Sequence, residues 1–406
     1  MSVVPVGMQR RTVRVLVAGQ VLAGIGQGAT LSIGAVLATE VSGSEAWAGA
    51  AATLSTLGSA AVAIPLARLA LRYGRRPALA AGALTGVVGS VITVAATGLG
   101  SFALLLVGFG LLGVGGAVGL QARFAATDVA EPAHRGRDLS IVVWSTTVGA
   151  VVGPNLFGPG VVVAQALGLP DLTGSFVFAV AAQLFAAIVY LVALRPDPLI
   201  VGRDLPVLPA PNDEPGMVRA HSTLIFAIAT LAISHAAMVS IMSMTPVHLI
   251  SHGASLTIVG FTVSLHIAGM FALSPLFGWA SDRIGRIPTI LMGQLLFVVS
   301  ILVTALGELS NSAVTVGLVL LGLGWSASTV AASALVTDLV TGAARVRMQG
   351  RSDMIMNVAG AAGGALAGPV LALIGYAGLT WVVGLLVVGV ILAASVISQR
   401  LRVAAR

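Results

Sequence analysis

The sequence predicts an all-α membrane protein with twelve transmembrane helices. The chain has 406 residues, of which 57% are hydrophobic and 9% charged, whereas soluble domains carry about 25% charged residues. Its apolar residues recur along the whole chain in runs of about 20, and each run can cross a hydrocarbon core of ~30 Å. The 50 glycines favour close contact between helices in lipid.

Twelve such runs are predicted to span the membrane. They cover residues 13–39, 46–70, 77–98, 101–127, 139–162, 174–194, 221–249, 256–280, 287–307, 312–337, 351–374 and 378–398. Between the sixth and seventh runs, residues 195–220 contain six prolines and several charges, a composition typical of a linker. The predicted domains are therefore a six-helix bundle at 1–194, a cytoplasmic linker at 195–220 and a second bundle at 221–406.

Charged residues predict the orientation of these spans. All 21 basic residues are arginine, and they fall at the two termini and at the even-numbered loops and adjoining helix ends. The opposite loops hold Glu40, Glu45, Asp171 and Glu308. By the positive-inside rule, both termini lie in the cytoplasm, as in a bacterial cytoplasmic (inner) membrane protein. Arg123, about one turn inside the arginine-rich end of span four, is expected to extend towards that end.

Composition also limits the partners. The high isoelectric point of about 11.2 reflects this topology, because no basic run carries the interleaved aromatic residues of a nucleic-acid surface. The expected partners are membrane lipids and a transported solute. The absence of cysteine excludes disulfides.

The two bundles repeat each other. The segment from Ala67 to Pro77 returns 211 positions later as Gly278 to Pro288. Thr127-Asp128 returns as Thr337-Asp338, each followed by two arginines. Glycine and proline residues that suit helix packing also recur in spans five and eleven, at Gly149, Gly153, Pro154 and Gly158 and at Gly364, Gly368 and Pro369. Six-helix halves repeated in parallel are typical of one transporter architecture.

The second copy of the repeated loop is a complete G-x-x-x-D-R-x-G-R signature, from Gly278 to Arg286. With twelve spans and the repeat, the whole chain resembles the major facilitator superfamily. That resemblance implies the major facilitator fold and secondary transport, driven by a proton or other gradient as symporter or antiporter. In the first copy Ala67 replaces the glycine and Leu71 the acidic residue.

The repeated loops are expected to form a gate. Its residues are Asp282, Arg283, Arg286 and Asp338 in the second half and Arg75 and Asp128 in the first. Ion pairs of this kind can form in one conformation and break in another. Because Leu71 cannot form an ion pair, the gate is expected to depend mainly on the second half.

Two neighbouring spans carry pairs of soft metal ligands. Met238 and Met242 lie in span seven, and His266 and Met270 lie in span eight. Side chains four residues apart share a helix face, and thioethers and imidazole suit Cu(I). Counting from the turn near residue 252 predicts that Met238 and His266 lie level, with His235 as an auxiliary metal or proton site on the same stripe.

These pairs resemble the M-x-x-x-M and H-x-x-x-M motifs of the CcoA-like copper importers, a bacterial branch of the superfamily. The resemblance implies import of a copper ion or small copper complex as substrate, with no permanently bound cofactor. It further implies supply of copper to assembling haem–copper oxidases, with a cytoplasmic copper chaperone or an exporting ATPase downstream. The chain departs from that family in having no cysteine.

The alternative is proton-coupled efflux of lipophilic drugs or metabolites. The glycine-proline pattern of span five approaches that of such exporters. However, Phe109 and Leu112 stand ahead of Gly113 where those exporters have the arginine and glutamine of R-x-x-Q-G. An enzyme is not expected, because the chain has no H-E-x-x-H, no paired carboxylates within the membrane and no G-x-S-x-G. It also has no Walker motif, so ATP is not expected to be the direct energy source.

Overall fold

The computed structural model describes residues 7–44, 47, 50–203 and 214–404, and all regular structure in these ranges is helical. The chain forms two compact units. The first consists of Met1–Ala130, Ile141–Pro206 and Gly342–Met354, and the second of Glu131–Ser140, Val207–Thr341 and Ile355–Arg406. Each unit therefore contains one short segment from the other half of the sequence. The domain boundaries at 194 and 221 stay a prediction.

The described residues of the first half of the chain form eight helices. They are α1 Met8–Ser42, α2 Ala50–Tyr73, α3 Arg75–Gly98, α4 Phe102–Ala125, α5 Arg135–Asn155, α6 Phe157–Ala166, α7 Gly174–Ala193 and α8 Pro198–Arg203. Single 3-10 turns precede α5 and α7. The predicted fifth span is divided at Leu156, where α5 gives way to α6.

Six helices are described in the second half. They are α9 Glu214–Ser251, α10 Leu256–Phe271, α11 Ser274–Arg283, α12 Arg286–Leu306, α13 Asn311–Leu339 and α14 Gly342–Ala404. The predicted eighth span is divided between α10 and α11, and α11 begins with a proline in its first turn, a position where proline is favoured. Gly375, at φ 73, interrupts α14 and separates the eleventh span from the twelfth.

These helices confirm the predicted fold class. Within the described ranges, nine helices are long and apolar enough to cross a membrane, and the last of them covers two predicted spans. Helix α1 and the α5–α6 pair correspond to the other two predicted spans. The chain is an all-α membrane protein with twelve transmembrane helices.

The repeated loops end at glycines that begin the next helix. Gly74 precedes α3 with φ 96, and Gly285 precedes α12 with φ 105. This region of backbone conformation is open to glycine and strained for other residues. Gly74 and Gly285, which precede Arg75 and Arg286 in the two copies of the loop, are thus required by the turn between consecutive helices.

The predicted linker is partly helical. Its first residues form α8, and its last residues begin α9, while 204–213, with Pro206, Pro209 and Pro211, lie outside the described residues. Asp197 attaches α8 to the first unit, because its carboxylate accepts the backbone N–H of Arg76 at 2.7 Å and of Leu199 at 3.0 Å. A carboxylate at the start of α3 is stabilised by the helix dipole.

Candidate functional site

Arg286 is the centre of an ion-pair network in the second unit. Its guanidinium donates to Asp282 at 2.5 Å and to Asp338 at 2.9 Å. Arg135, at the start of α5, donates to the other oxygen of Asp338 at 2.8 Å. The network therefore joins α11, α12 and α13 to a segment from the first half of the sequence.

The second function of Asp282 is to cap α5. Its two carboxylate oxygens accept the backbone N–H groups of Gly136 at 2.9 Å and Arg137 at 2.7 Å. These groups lie in the first turn of the helix, which has no intrahelical acceptors for them. Arg283, by contrast, lies over the ring of Trp279 at 6.0 Å and enters no ion pair in the described part of the chain.

Arg75 is the centre of a second network, in the first unit. Its Nε and Nη2 donate to Asp128 at 2.8 and 3.2 Å, and both side chains are 0% exposed. The remaining donors reach Gln121 and Gln349, each at 2.8 Å. Arg345 lies 3.6 Å from the second oxygen of Asp128. A buried charge is stable only when paired and hydrogen-bonded in this way.

The two networks are related by the repeat. In each one, a pair of residues from one half of the sequence is joined by an arginine from the other half. Asp128, which pairs with Arg75, also faces Arg345 of the second half. Its repeat counterpart Asp338, which pairs with Arg286, also pairs with Arg135 of the first half. The first network is the more deeply buried, and the dependence of the gate mainly on the second half stays a prediction.

The missing acid at Leu71 is compensated in two ways. Gln349 supplies an acceptor for Arg75, and the Leu71 side chain packs in an apolar cluster with Ala67 and Val346. Val346 is the repeat counterpart of Gly136, whose N–H binds Asp282. Because α14 begins at Gly342, the N–H of Val346 already has an intrahelical acceptor. A carboxylate at position 71 would find no free backbone donor there.

The same close helix contact contains a glycine in both halves, but the glycine lies on a different one of the two contacting helices in each half. A Cβ added to Gly278 would lie 2.5 Å from the carbonyl oxygen of Gly136 and would collide with Ser140. In the first unit the contact is reversed, because a Cβ added to Gly350 would lie 2.5 Å from the Cβ of Ala67. Gly350 is the counterpart of Ser140, and Ala67 is the counterpart of Gly278. One glycine per contact allows each pair of helices to approach closely.

This exchange gives a prediction about packing. We expect Gly350→Ser to destabilise the protein by about 1–3 kcal/mol, because the added atoms overpack the contact with Ala67. Adding Ala67→Gly should restore most of the lost stability, since it recreates the Gly278–Ser140 arrangement. Thermal unfolding of the purified single and double variants measures both effects. Equal stability of the two variants would show that the contact is not tight.

The soft-ligand pairs lie around α13. Met238 and Met270 are buried in one apolar cluster, and Met242 packs against it. Helices α9 and α10, which carry the two pairs, pack mainly against α13 and little against each other. The structure thus places the thioethers in a common cluster held mainly by α13, with a small α9–α10 contact.

The depths of the soft-ligand side chains along the helices can be compared through their contacts with α13. His235 accepts the indole N–H of Trp325 at 3.0 Å, and His266 donates its Nδ1–H to the carbonyl of Leu318 at 2.7 Å. Helices α9 and α13 are antiparallel, so a step back along α13 matches an equal step forward along α9. Leu318 lies seven residues before Trp325, and Met242 lies seven residues after His235. By this count Met242 corresponds to Leu318 and Met238 to Gly322, and a Cβ added to Gly322 would lie 2.5 Å from the carbonyl oxygen of His266. That Met238 and His266 lie level stays a prediction.

His266 has one unused ring nitrogen. Donation from Nδ1 to Leu318 leaves Nε2 with a lone pair. The residue is 0% exposed, and Nε2 has no hydrogen-bond partner among the described residues. Such an orphaned buried atom requires an explanation.

Three rings form what we call the aromatic group: His235, Phe271 and Trp325. Phe271 meets Trp325 edge to face at 5.7 Å, and His235 lies 6.0 Å from Trp325. The group brings together α9, α10 and α13. Sequence analysis identified His235 but missed Trp325 and Phe271. The available signal was Trp325 beside Gly322 and Gly324 in span ten, where the two glycines let α13 approach α10 and α12 closely.

Polar side chains accompany the aromatic group. Gln294 donates to Ser234 and Ser328, both at 2.9 Å. The hydroxyls of Ser326 and Thr329, next to Trp325 along α13, are buried without a hydrogen-bond partner in the part of the chain that the structure describes. The middle of α13 thus combines aromatic surface with available hydroxyl groups.

The glycines of spans five and eleven are placed as follows. Gly149 touches Gly24 of α1. In the second half, Gly360 contacts His235 of α9. This is the matching contact, because His235 lies 211 positions after Gly24 and Gly360 lies 211 positions after Gly149.

The predicted match of Gly149 with Gly364 is therefore displaced by four residues. Gly364 faces Val239, whereas Gly158 and Gly368 border open space. Pro369 lies inside α14. Gly153 and Pro154 lie in α5, but their side-chain surroundings are outside the described residues.

These features define a membrane transporter built from two repeated halves. The chain belongs to the Major Facilitator Superfamily, whose family model matches residues 16–253 and 223–404. Proteins of this family are transporters rather than enzymes.

Two relatives come from Bacillus subtilis. The uncharacterized MFS-type transporter YdeG is 36% identical over 389 residues, which cover 93% of this chain and 90% of the relative. YddS, also named as an uncharacterized MFS-type transporter, is 36% identical over 90% of this chain and 86% of its own length. The riboflavin transporter RfnT of Brucella anthropi is 29% identical over 92% of both chains.

Solved structures show the same fold at low identity. The human organic anion transporter MFSD10 (TETRAN) matches with a TM-score of 0.75 and 16% identity, covering 97% of this chain and 100% of that one. The Escherichia coli fucose:proton symporter FucP matches with a TM-score of 0.67 and 14% identity over 95% of this chain and 98% of that one. These two likenesses establish the fold alone.

Proposed function

We propose that the chain is a secondary active transporter of the bacterial cytoplasmic membrane that imports a flat aromatic solute of the riboflavin kind. The observation that carries this proposal is the aromatic group on α9, α10 and α13. A relative that aligns over 92% of both chains is a riboflavin transporter, which supports the same substrate class. Both termini lie in the cytoplasm, so the ion-pair networks lie on the inner side.

Trp325 is the residue that would bind the solute. An indole presents a large face on which a heterocycle stacks, and its N–H is already held by His235, so its orientation is fixed. Solute sites are mostly apolar with a few polar groups. Met238 and Met270, which are buried in one apolar cluster with Trp325, supply polarisable apolar surface, and Ser326 and Thr329 supply hydroxyls.

The two ion-pair networks would control access from the cytoplasm. Each network holds, within one unit, a segment from the other half of the sequence. Breaking both networks would free those two segments, and reforming them would bind them again. Such bistable contacts are one means by which a transporter alternates between conformations.

Exchange of radiolabelled riboflavin tests this function. The purified full-length protein is reconstituted into liposomes loaded with unlabelled riboflavin. We expect labelled riboflavin to enter by exchange above the level of protein-free liposomes. Absence of exchange by correctly folded protein would overturn the proposed substrate class.

Copper import is a second candidate, favoured by the bare Nε2 of His266. Neutral imidazole and methionine thioether are suitable ligands for Cu(I), and Met270 lies one turn along the same helix face. Met238 and Met242 would complete the set on α9, with His235 as an auxiliary group. A cytoplasmic copper chaperone or an exporting ATPase would then receive the metal.

Copper accumulation distinguishes this candidate. If copper is the substrate, His266→Ala abolishes uptake of radioactive copper into cells that express the protein. His248→Ala, which removes another buried histidine, is the matched control and should leave uptake unchanged. Equal uptake in both variants would remove copper from consideration.

Efflux has less support. Phe109 and Leu112, which replace the arginine and glutamine of proton-coupled exporters, are buried in an apolar cluster of the first unit. No charged side chain takes the place of that arginine in this cluster, as far as the structure describes it.

A further inference from the structure

Arg123 and Asp353 form an ion pair in the first unit that belongs to neither gate network. Arg123 is on α4 and Asp353 is on α14, and the guanidinium donates to the carboxylate at 2.5 Å. Their side chains are 2% and 1% exposed. Arg123 therefore does not extend towards the membrane surface, as the sequence suggested, but points to a buried anion.

The pair is absent from the repeat. With the offset of 210 positions that relates Asp128 to Asp338, the counterpart of Arg123 is Ser333 and that of Asp353 is Val143. Both counterparts are buried. The repeat therefore has neutral side chains at both positions, so the charges of Arg123 and Asp353 are not a shared feature of the two halves.

Burying two ions in a low-dielectric interior often costs more free energy than packing neutral side chains of the same size. A buried ion pair that the other half lacks therefore suggests a functional role. Ionisable residues within a membrane protein are functional candidates for this reason. Here the pair holds Gly342–Met354, the segment of the second half that the first unit contains. Breaking the pair would weaken the attachment of that segment.

We propose that Asp353 is the proton-binding carboxylate of this transporter and that its protonation releases Arg123 and the segment 342–354. One carboxylate oxygen accepts a proton from water and forms an O–H bond, while Arg123 keeps its own proton and positive charge. The uncompensated guanidinium then favours hydration, and hence separation of the two helices. The coupling ion of the transport cycle is thereby the proton.

Other charges around the pair are already engaged. Arg75 on α3 contributes attraction to Asp353 and is itself paired with Asp128, which in turn faces Arg345. On α4, the ring of Phe124 lies 4.9 Å from the Arg123 guanidinium. Protonation of Asp353 therefore changes the charge at one position, and release of the segment also breaks the contacts of Gln349 with Arg75 and of Arg345 with Asp128.

Cysteine labelling of the released segment tests the proposal. The chain has no cysteine, so Val346→Cys introduces a single thiol at a fully buried position on the segment. In the full-length protein, the rate of maleimide labelling, corrected for thiolate fraction, should rise on acidification. The rise should approach about tenfold per pH unit while the protonated form is the minor one.

Variants of the pair complete the test. In the Val346→Cys background, Asp353→Asn should label rapidly at every pH. The double variant Arg123→Ser with Asp353→Val copies the neutral counterparts. It should fold with comparable stability and show no pH response. Asp138→Asn removes a different buried acid and should retain the response.

A flat pH profile in the parent protein, or a normal response in the double variant, would overturn the proposal. The assignment of the proton as coupling ion rests on the proposed transport function, whereas the release of segment 342–354 by protonation does not. Labelling needs no solute, so failure of riboflavin exchange would leave this result unaffected.

Discussion

Trp325→Ala is expected to abolish riboflavin exchange in proteoliposomes. The indole face is the largest aromatic surface of the aromatic group, and loss of stacking on a heterocycle costs about 1–3 kcal/mol. That corresponds to a roughly five- to 160-fold weaker Kd. His235 would also lose the N–H donor that it binds at 3.0 Å.

The controls separate binding from folding. Trp325→Phe keeps an aromatic face and should retain measurable exchange, whereas Trp279→Ala removes a half-exposed indole and should leave exchange unchanged. Thermal unfolding of each variant shows whether the protein remains folded. Exchange at the parent rate by folded Trp325→Ala would exclude a stacking role for this residue.

Arg75→Met is expected to destabilise the protein by about 3–5 kcal/mol, because it leaves the fully buried carboxylate of Asp128 without its main partner. Gln121 and Gln349 would also lose the donors that they accept at 2.8 Å. The effect should appear as a lower thermal unfolding midpoint and as release of Gly342–Met354.

Arg286→Met is the matched comparison, since it removes the repeat counterpart. Its ion pairs are partly exposed, with 12% exposure for Arg286 and 28% for Asp338. Water can compensate charges that are partly exposed, so the loss of stability should be smaller. A larger loss for Arg286→Met would reverse the order that burial predicts.

Most of the fold follows from hydropathy and the repeat. Runs of about 20 apolar residues predict the spans, and positive φ at Gly74 and Gly285 explains the loop signature. The interruption between α10 and α11 has a local signal in Pro275. The change from α5 to α6 at Leu156 also has a local signal, because Pro154 and Pro159 flank it together with Gly153 and Gly158.

The site was less predictable because it depends on tertiary contacts. Spacing along one helix places Met238 with Met242, and His266 with Met270. It does not show that α13 lies against both helices, nor that Trp325 fixes the depth of α9. Arg123 and Asp353 are 230 positions apart and belong to no motif, so only the folded chain brings them together.

The central claim is that a flat aromatic solute binds at Trp325, and the fluorescence of riboflavin tests it most directly. Titration of riboflavin with purified full-length protein should give saturable quenching, because stacking on an indole quenches the flavin. Quenching should persist in His266→Ala and disappear in Trp325→Ala. No saturable quenching by the parent protein, or equal quenching by Trp325→Ala, would contradict the claim.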